Sequence, residues 1–141
     1  MSRIRPVAHA VIRHRDRMLV TVGEGFCRCV GGGIEFGERS EAAVRRELRE
    51  ELGVELSRVE LLGVLENVFD FEGRRHHEIV FAFDCDVVDP TFYERDSHEV
   101  IGDSGDVIEV ARWVAVADFV SGEKSLVPDG LLPLIAKPGS V

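Results

Sequence analysis

Between Arg39 and Leu52 an apolar residue recurs at every fourth position, as Val44, Leu48 and Leu52, while the intervening positions are mostly charged. That repeat predicts a helix with one stripe for a core and one face for something else. Ser40 is the expected cap, Glu41 suits the positive end of the helix dipole, and Gly53 supplies the stop. On this helix Glu47, Glu50 and Glu51 stand at i, i+3 and i+4, within an arc of roughly 100° beside the apolar stripe. Packing the stripe down leaves these acids at the edge of the core.

Carboxylates held this close repel, and one of them tends to keep its proton unless a cation intervenes. A hard divalent cation such as magnesium, which prefers carboxylate, water and phosphate oxygens, resolves the conflict. It would also neutralise a polyphosphate and favour attack by water. The same spacing fits a solvated acidic face paired to Arg45, Arg46 and Arg49, with Arg46 and Glu50 four residues apart. The upstream segment favours the cation: Gly31-Gly32-Gly33 is read as a flexible turn that lets backbone approach an ion or phosphate, and Glu38 adds another carboxylate.

The rest of the chain frames that segment. Strands are expected at Val7–Ile12 and Met18–Val22, joined as a hairpin, with a short extended piece at Phe26–Val30. Further strands are expected at 59–71, 78–88 and 107–114, and short helices at 117–120 and 128–136. The polar stretch Asp89–Asp106 reads as a long loop. Strands on both sides of one strong helix, plus a C-terminal helix, indicate an α/β (α+β) fold whose mixed β-sheet is covered by helices. The 141 residues contain no repeat or Pro/Gly/Ser linker, so a single domain over 1–141 is expected. A net charge of −9 argues against a general nucleic-acid binder. The charged start is unlike a signal peptide and no apolar run is long enough for a membrane span, so a cytoplasmic protein without membrane association is expected. Cys27, Cys29 and Cys85 match no common zinc spacing.

The residues from Gly32 to Val54 make the reading specific. Gly32, Glu38, Arg46, Glu47, Leu48, Glu50, Glu51, Gly53 and Val54 occupy every fixed position of G-x5-E-x7-R-E-U-x-E-E-x-G-U, with U a bulky aliphatic residue. The chain thus resembles the Nudix hydrolases, the MutT-like family. That resemblance implies the Nudix fold and a magnesium-dependent hydrolase, with manganese as a possible substitute. The substrate would be a nucleoside diphosphate linked to another group: a nucleoside triphosphate, a nucleotide sugar such as ADP-ribose, or a related small nucleotide. Glu47, Glu50, Glu51 and the Gly31 carbonyl would hold the metal. Arg46 would orient a catalytic glutamate, while Gly32, Glu38 and Gly53 would be structural. Gly32, Gly33 and Arg28 are expected near substrate. A homodimer is compatible with the resemblance.

Family members often take one more carboxylate from a late loop; Glu94, Glu99 and Glu78 are candidates, and Glu99 is favoured as catalytic. The run Phe26-Cys27-Arg28-Cys29-Val30 replaces the Trp and Pro that often precede the glycines, so the base is not indicated. His76 and His77 point to opposite faces if on a strand and make a poor metal pair. His98 is a further acid–base candidate. Trp113 and Phe119 are expected to pack the last strand against the C-terminal helix. Two other activities on this fold are a catalytically inactive nucleotide sensor and a prenyl-diphosphate isomerase using a cysteine such as Cys27 or Cys29.

Overall fold

The computed structural model describes residues 2–135. Strand β1 (Ile4–His14) turns at Arg15 and Asp16 into β2 (Arg17–Val22), and the two pair only beside the turn, at Arg13↔Met18 and His14↔Arg17. Beyond it they diverge. β1 lies between β4 (Val30–Gly33, antiparallel) and β6 (Arg74–Val87, parallel), and β5 (Leu56–Phe71) completes that ladder along β6. β2 instead pairs with β3 (Cys27–Arg28) and β8 (Val107–Ala115); β7 (Ser97–Ile101) and β9 (Leu126–Val127) lie outside these. The resulting mixed sheet splays open from a shared hairpin, and the cleft between its halves faces helix α1 (Ser40–Leu52).

Helices cover both faces. Val44 and Leu48 of α1 are fully buried against Ala8, Ala10, Ile12, Leu19 and Phe83. The opposite side packs Val11, Met18 and Val20 with Phe119 of α2 (Val116–Val120) and Leu131 and Ile135 of α3 (Leu131–Ile135). Each buried Val, Leu or Ile contributes about 1.5–3 kcal/mol, so the first cluster decides the orientation of α1 and the second that of α2 and α3. Gly53 ends α1 at φ +67°, donating its N–H to Arg49 O at 3.0 Å. A left-handed residue here favours glycine because it has no Cβ to clash.

Five expectations change. Gly31-Gly32-Gly33 is strand, not turn; its glycines serve close approach, since a Cβ on Gly31 would run into the Ala8 carbonyl of β1. The stretch 89–106 is not one loop: it holds a 3-10 helix, Pro90–Glu94, and β7, whose polar, partly exposed residues hide its strand character. Arg39, not Ser40, sits at the α1 cap, without a side-chain hydrogen bond. Trp113 packs on the α1 side, against Phe92, Tyr93 and His98, with Nε1 donating to Arg95 O; Phe119 does meet α3. The expected last helix begins at Leu131, and Ala136 lies outside the described residues.

Candidate active site

A cavity of about 630 Å³ opens where the sheet splays, bordered by β4, the acidic face of α1, and parts of β1, β3, β7 and β8. That is an ordinary size for a small-molecule site. Its geometry starts from Arg46. Nε and Nη2 grip both oxygens of Glu38 at 2.8 and 2.9 Å; Nη2 also donates to Gly33 O at 3.0 Å. Nη1 reaches Glu47 at 3.0 Å and Glu50 at 3.1 Å. One guanidinium thereby ties the segment ahead of α1, strand β4 and the acids of the helix together with charge-assisted bonds. The Arg46 hydrogen bonds hold Glu38 below the usual carboxylate range, and donating to Glu38 is the chief cause that raises Arg46.

Glu47 lies against Gly32: a Cβ on that glycine would come within 2.6 Å of the Glu47 carboxylate. Beside it, Glu51 is pushed up to about 9, first by burial, then by its hydrogen bond to Glu47 and the charges of Glu47 and Glu109. Burial and this neighbour thus favour the protonated form of Glu51 at the edge of the core. Gly31 offers a backbone oxygen close by. Ile34 N donates to Pro6 O, and antiparallel alternation then turns the Gly31 and Gly33 carbonyls away from β1. Gly33 O is taken by Arg46.

The donor set is all oxygen and acidic, which fits a hard divalent cation. Among the described residues, no three acids or imidazoles are closed around one point. Glu50, half exposed, leans on Arg46, and Glu51 leans on Glu47. The raised Glu51 carboxyl, crowded by Glu47, marks where positive charge is wanted.

Other expected residues divide clearly. Arg28 borders the cavity and pairs with Glu109 at 3.0 Å. Glu78 also borders it, 3.6 Å from Arg5. Glu94 and Glu99 are exposed and do not line the cavity. His98 is buried, stacked on Phe92 with ring centroids 3.8 Å apart, and its Nε2 contacts Phe92 O at 2.9 Å. His77 meets Glu66 at 3.1 Å, and His76 stacks on Phe69. Cys27, Cys29 and Cys85 are buried and free; burial pushes the Cys29 thiol up to about 12.

Among the cavity residues that sequence reasoning missed, two bear on the chemistry. Glu109 on β8 faces the same space as Glu51. His9 on β1 lines it too, and burial, aided by Arg28 and Arg5, lowers its pKa to about 4. Each is a polar residue with apolar neighbours on both sides along its strand, the one local sign that could have flagged it.

A family model described as the NUDIX domain matches residues 3–135. Curated relatives from Escherichia coli and Shigella sonnei, named nucleoside triphosphatase NudI, are 61% identical over 31 residues, which is 22% of this chain and 22% of theirs. The matched part thus spans about a fifth of those relatives. The crystal structure of a MutT NUDIX hydrolase from Burkholderia pseudomallei is similar over 94% of this chain and 97% of its own, with 26% identity and a TM-score of 0.57. A MutT protein from Bacillus halodurans shares the fold over 94% of this chain and 80% of its own, at 21% identity and a TM-score of 0.61.

Proposed function

Because the chain belongs to the NUDIX family, whose domain model covers residues 3–135, we propose that it cleaves the diphosphate linkage of a small nucleotide with magnesium as its cation. Hydrolysis of pyrophosphate bonds comes with the family and its MutT hydrolase neighbours; the nucleotide and the choice of metal are what is proposed. The observation that carries the reading is Glu47 set against the glycine strand with Glu51 beside it, crowded enough that the Glu51 carboxyl is raised above its ordinary range.

In this reading Glu47, Glu50, Glu51 and the Gly31 carbonyl hold the metal, and manganese can replace it. Magnesium, when bound, supplies the charge that offsets the diphosphate and favours attack by water on phosphorus. Arg46 fixes the acids, Glu38 fixes Arg46, and Gly32 and Gly53 keep strand and helix in register. Glu109, not the exposed Glu99, is the carboxylate outside the motif best placed to accept a proton from water, and Arg28 beside it is available to a phosphate oxygen. Gly33 gives up its carbonyl to Arg46 and contributes an open strand edge to the substrate. Catalysis comes from positioning and charge, without a covalent intermediate.

Among nucleotides, nucleoside triphosphates are favoured, supported by the short match to the NudI proteins. The acid cluster is complete, as a hydrolase needs and a mere sensor does not. Cys29 borders the cavity, but it is buried with its thiol pushed up to about 12, and the complete acid cluster favours hydrolysis over isomerase chemistry. Free thiols fit a reducing compartment, so the cytoplasm is the proposed location; no described helix is long and apolar enough to cross a membrane.

The test is a panel of nucleoside triphosphates, nucleotide sugars and dinucleoside polyphosphates with magnesium, products being identified by mass. The expected result is cation-dependent release of a nucleoside monophosphate or of two phosphate-bearing fragments. Glu51→Gln should lower kcat by about a hundred-fold or more while leaving the circular dichroism spectrum unchanged. Wild-type turnover by that variant would remove Glu51 from the mechanism.

A further inference from the structure

His9 sits in the middle of β1 and is 8% exposed. Its Nδ1 is buried and has no hydrogen-bond partner among the described residues. Buried polar side-chain atoms are overwhelmingly paired, so a lone imidazole nitrogen beside a cavity asks for a partner that comes from outside. The ring borders the cavity, opposite Gly31 in the β1–β4 ladder, where no side chain intervenes. The same cavity carries apolar surface from Val7, Ile101 and Ile108. Arg28 connects this part to the acids, because its charge acts on both His9 and Glu51.

The cavity lining therefore mixes two chemical characters. Its acids and arginines suit a metal-bound diphosphate. Its apolar side chains and the His9 imidazole, whose ring nitrogens can donate or accept, offer a different kind of contact. A flat heteroaromatic ring with polar edges suits such a subsite.

We propose that His9 is a specificity-determining residue that hydrogen-bonds the nucleobase while the glutamates and arginines engage the diphosphate. This rests on the reading of the chain as a nucleotide hydrolase. Loss of the imidazole leaves the acidic machinery intact but removes the contact that ranks one base above another.

Two measurements test it. In the first, nucleoside triphosphates differing only in base are assayed with wild type, His9→Phe and His9→Asn. His9→Phe should raise KM for the preferred base about ten-fold or more, bring the bases closer together, and change kcat little. His9→Asn, which keeps a donor and an acceptor, should restore part of the discrimination. An unchanged base ranking and KM in His9→Phe would overturn the proposal. In the second, the histidine side-chain 15N spectrum of the wild-type protein is titrated with the preferred nucleoside, or with whichever of the four common ones binds if none is cleaved. The His9 nitrogens should move with nucleoside and not with inorganic pyrophosphate; no movement at saturation would overturn the contact. A His9 response without cleavage of any panel member counts against the hydrolase reading alone. Cleavage without a His9 response counts against His9 alone.

Discussion

Arg46 and Glu51 carry opposite problems of charge. Arg46 is satisfied by Glu38, Glu47, Glu50 and Gly33 O, so its charge is already matched within the protein. Glu51 is not, and it stays protonated well above the usual carboxylate range. The consequence for pH follows from that raised value. Between its ordinary 4.5 and about 9, the metal-free folded state holds a proton that the unfolded chain releases. This group therefore makes the metal-free protein less stable as pH rises through that window. A cation that takes the place of the proton binds better at high pH. Thermal melts with magnesium and with chelator at pH 5.5 and 8.5 check this: the gain in Tm from magnesium should be larger at pH 8.5. An equal gain at both values would mean that Glu51 does not exchange its proton for the ion. Glu109 and His9 escaped the sequence at this scale because nothing local ties them to the acids of α1. They reach the cavity through strand pairing, which spacing along the chain does not reveal.

At the scale of elements, α1 and β4 make the site between them, and their substitutions should separate stability from activity. Leu48 is fully buried in the core under α1; Leu48→Ala should cost about 2–5 kcal/mol, read from urea unfolding. Gly32→Ala acts differently. The atoms nearest its new methyl all belong to the end of the Glu47 side chain, which can swing aside at little cost to the fold but not to catalysis. The expected outcome is an almost unchanged midpoint in urea and a fall in kcat of about a hundred-fold, the scale of a misplaced catalytic group. Equal activity with the added methyl would show that Glu47 need not lie against β4. The helix was legible because its apolar stripe, acids and terminal glycine lie within consecutive turns. β4 was not, because three glycines look like a turn, whereas here they are strand residues whose missing side chains admit Ala8 and Glu47. β7 was hidden in the same way by Ser97, His98 and Glu99, polar residues on a strand at the margin of the sheet.

At the scale of the molecule, one hairpin feeding two strand ladders explains why there is a cavity at all. β1 and β2 pair briefly and then take different neighbours, and α1 lies across one face while α2 and α3 close the other. The family, the mixed sheet and its helical cover were legible from the motif and the order of elements, since strands stand on both sides of one helix whose apolar stripe demands a core beneath it. The divergence of β1 from β2 was not, because a hairpin has the same sequence signature whether or not its strands stay together. The central claim is that the acids on α1 and the strand beside them direct water onto a diphosphate with the help of a divalent cation. The most direct measurement is hydrolysis in oxygen-18 water with magnesium, followed by mass spectrometry of both products for the wild type and Glu51→Gln. The account predicts one heavy oxygen in one phosphate product of each turnover, dependent on magnesium and lost with Glu51→Gln. Label incorporation at the wild-type rate by Glu51→Gln, or by the wild type under chelation, would contradict it.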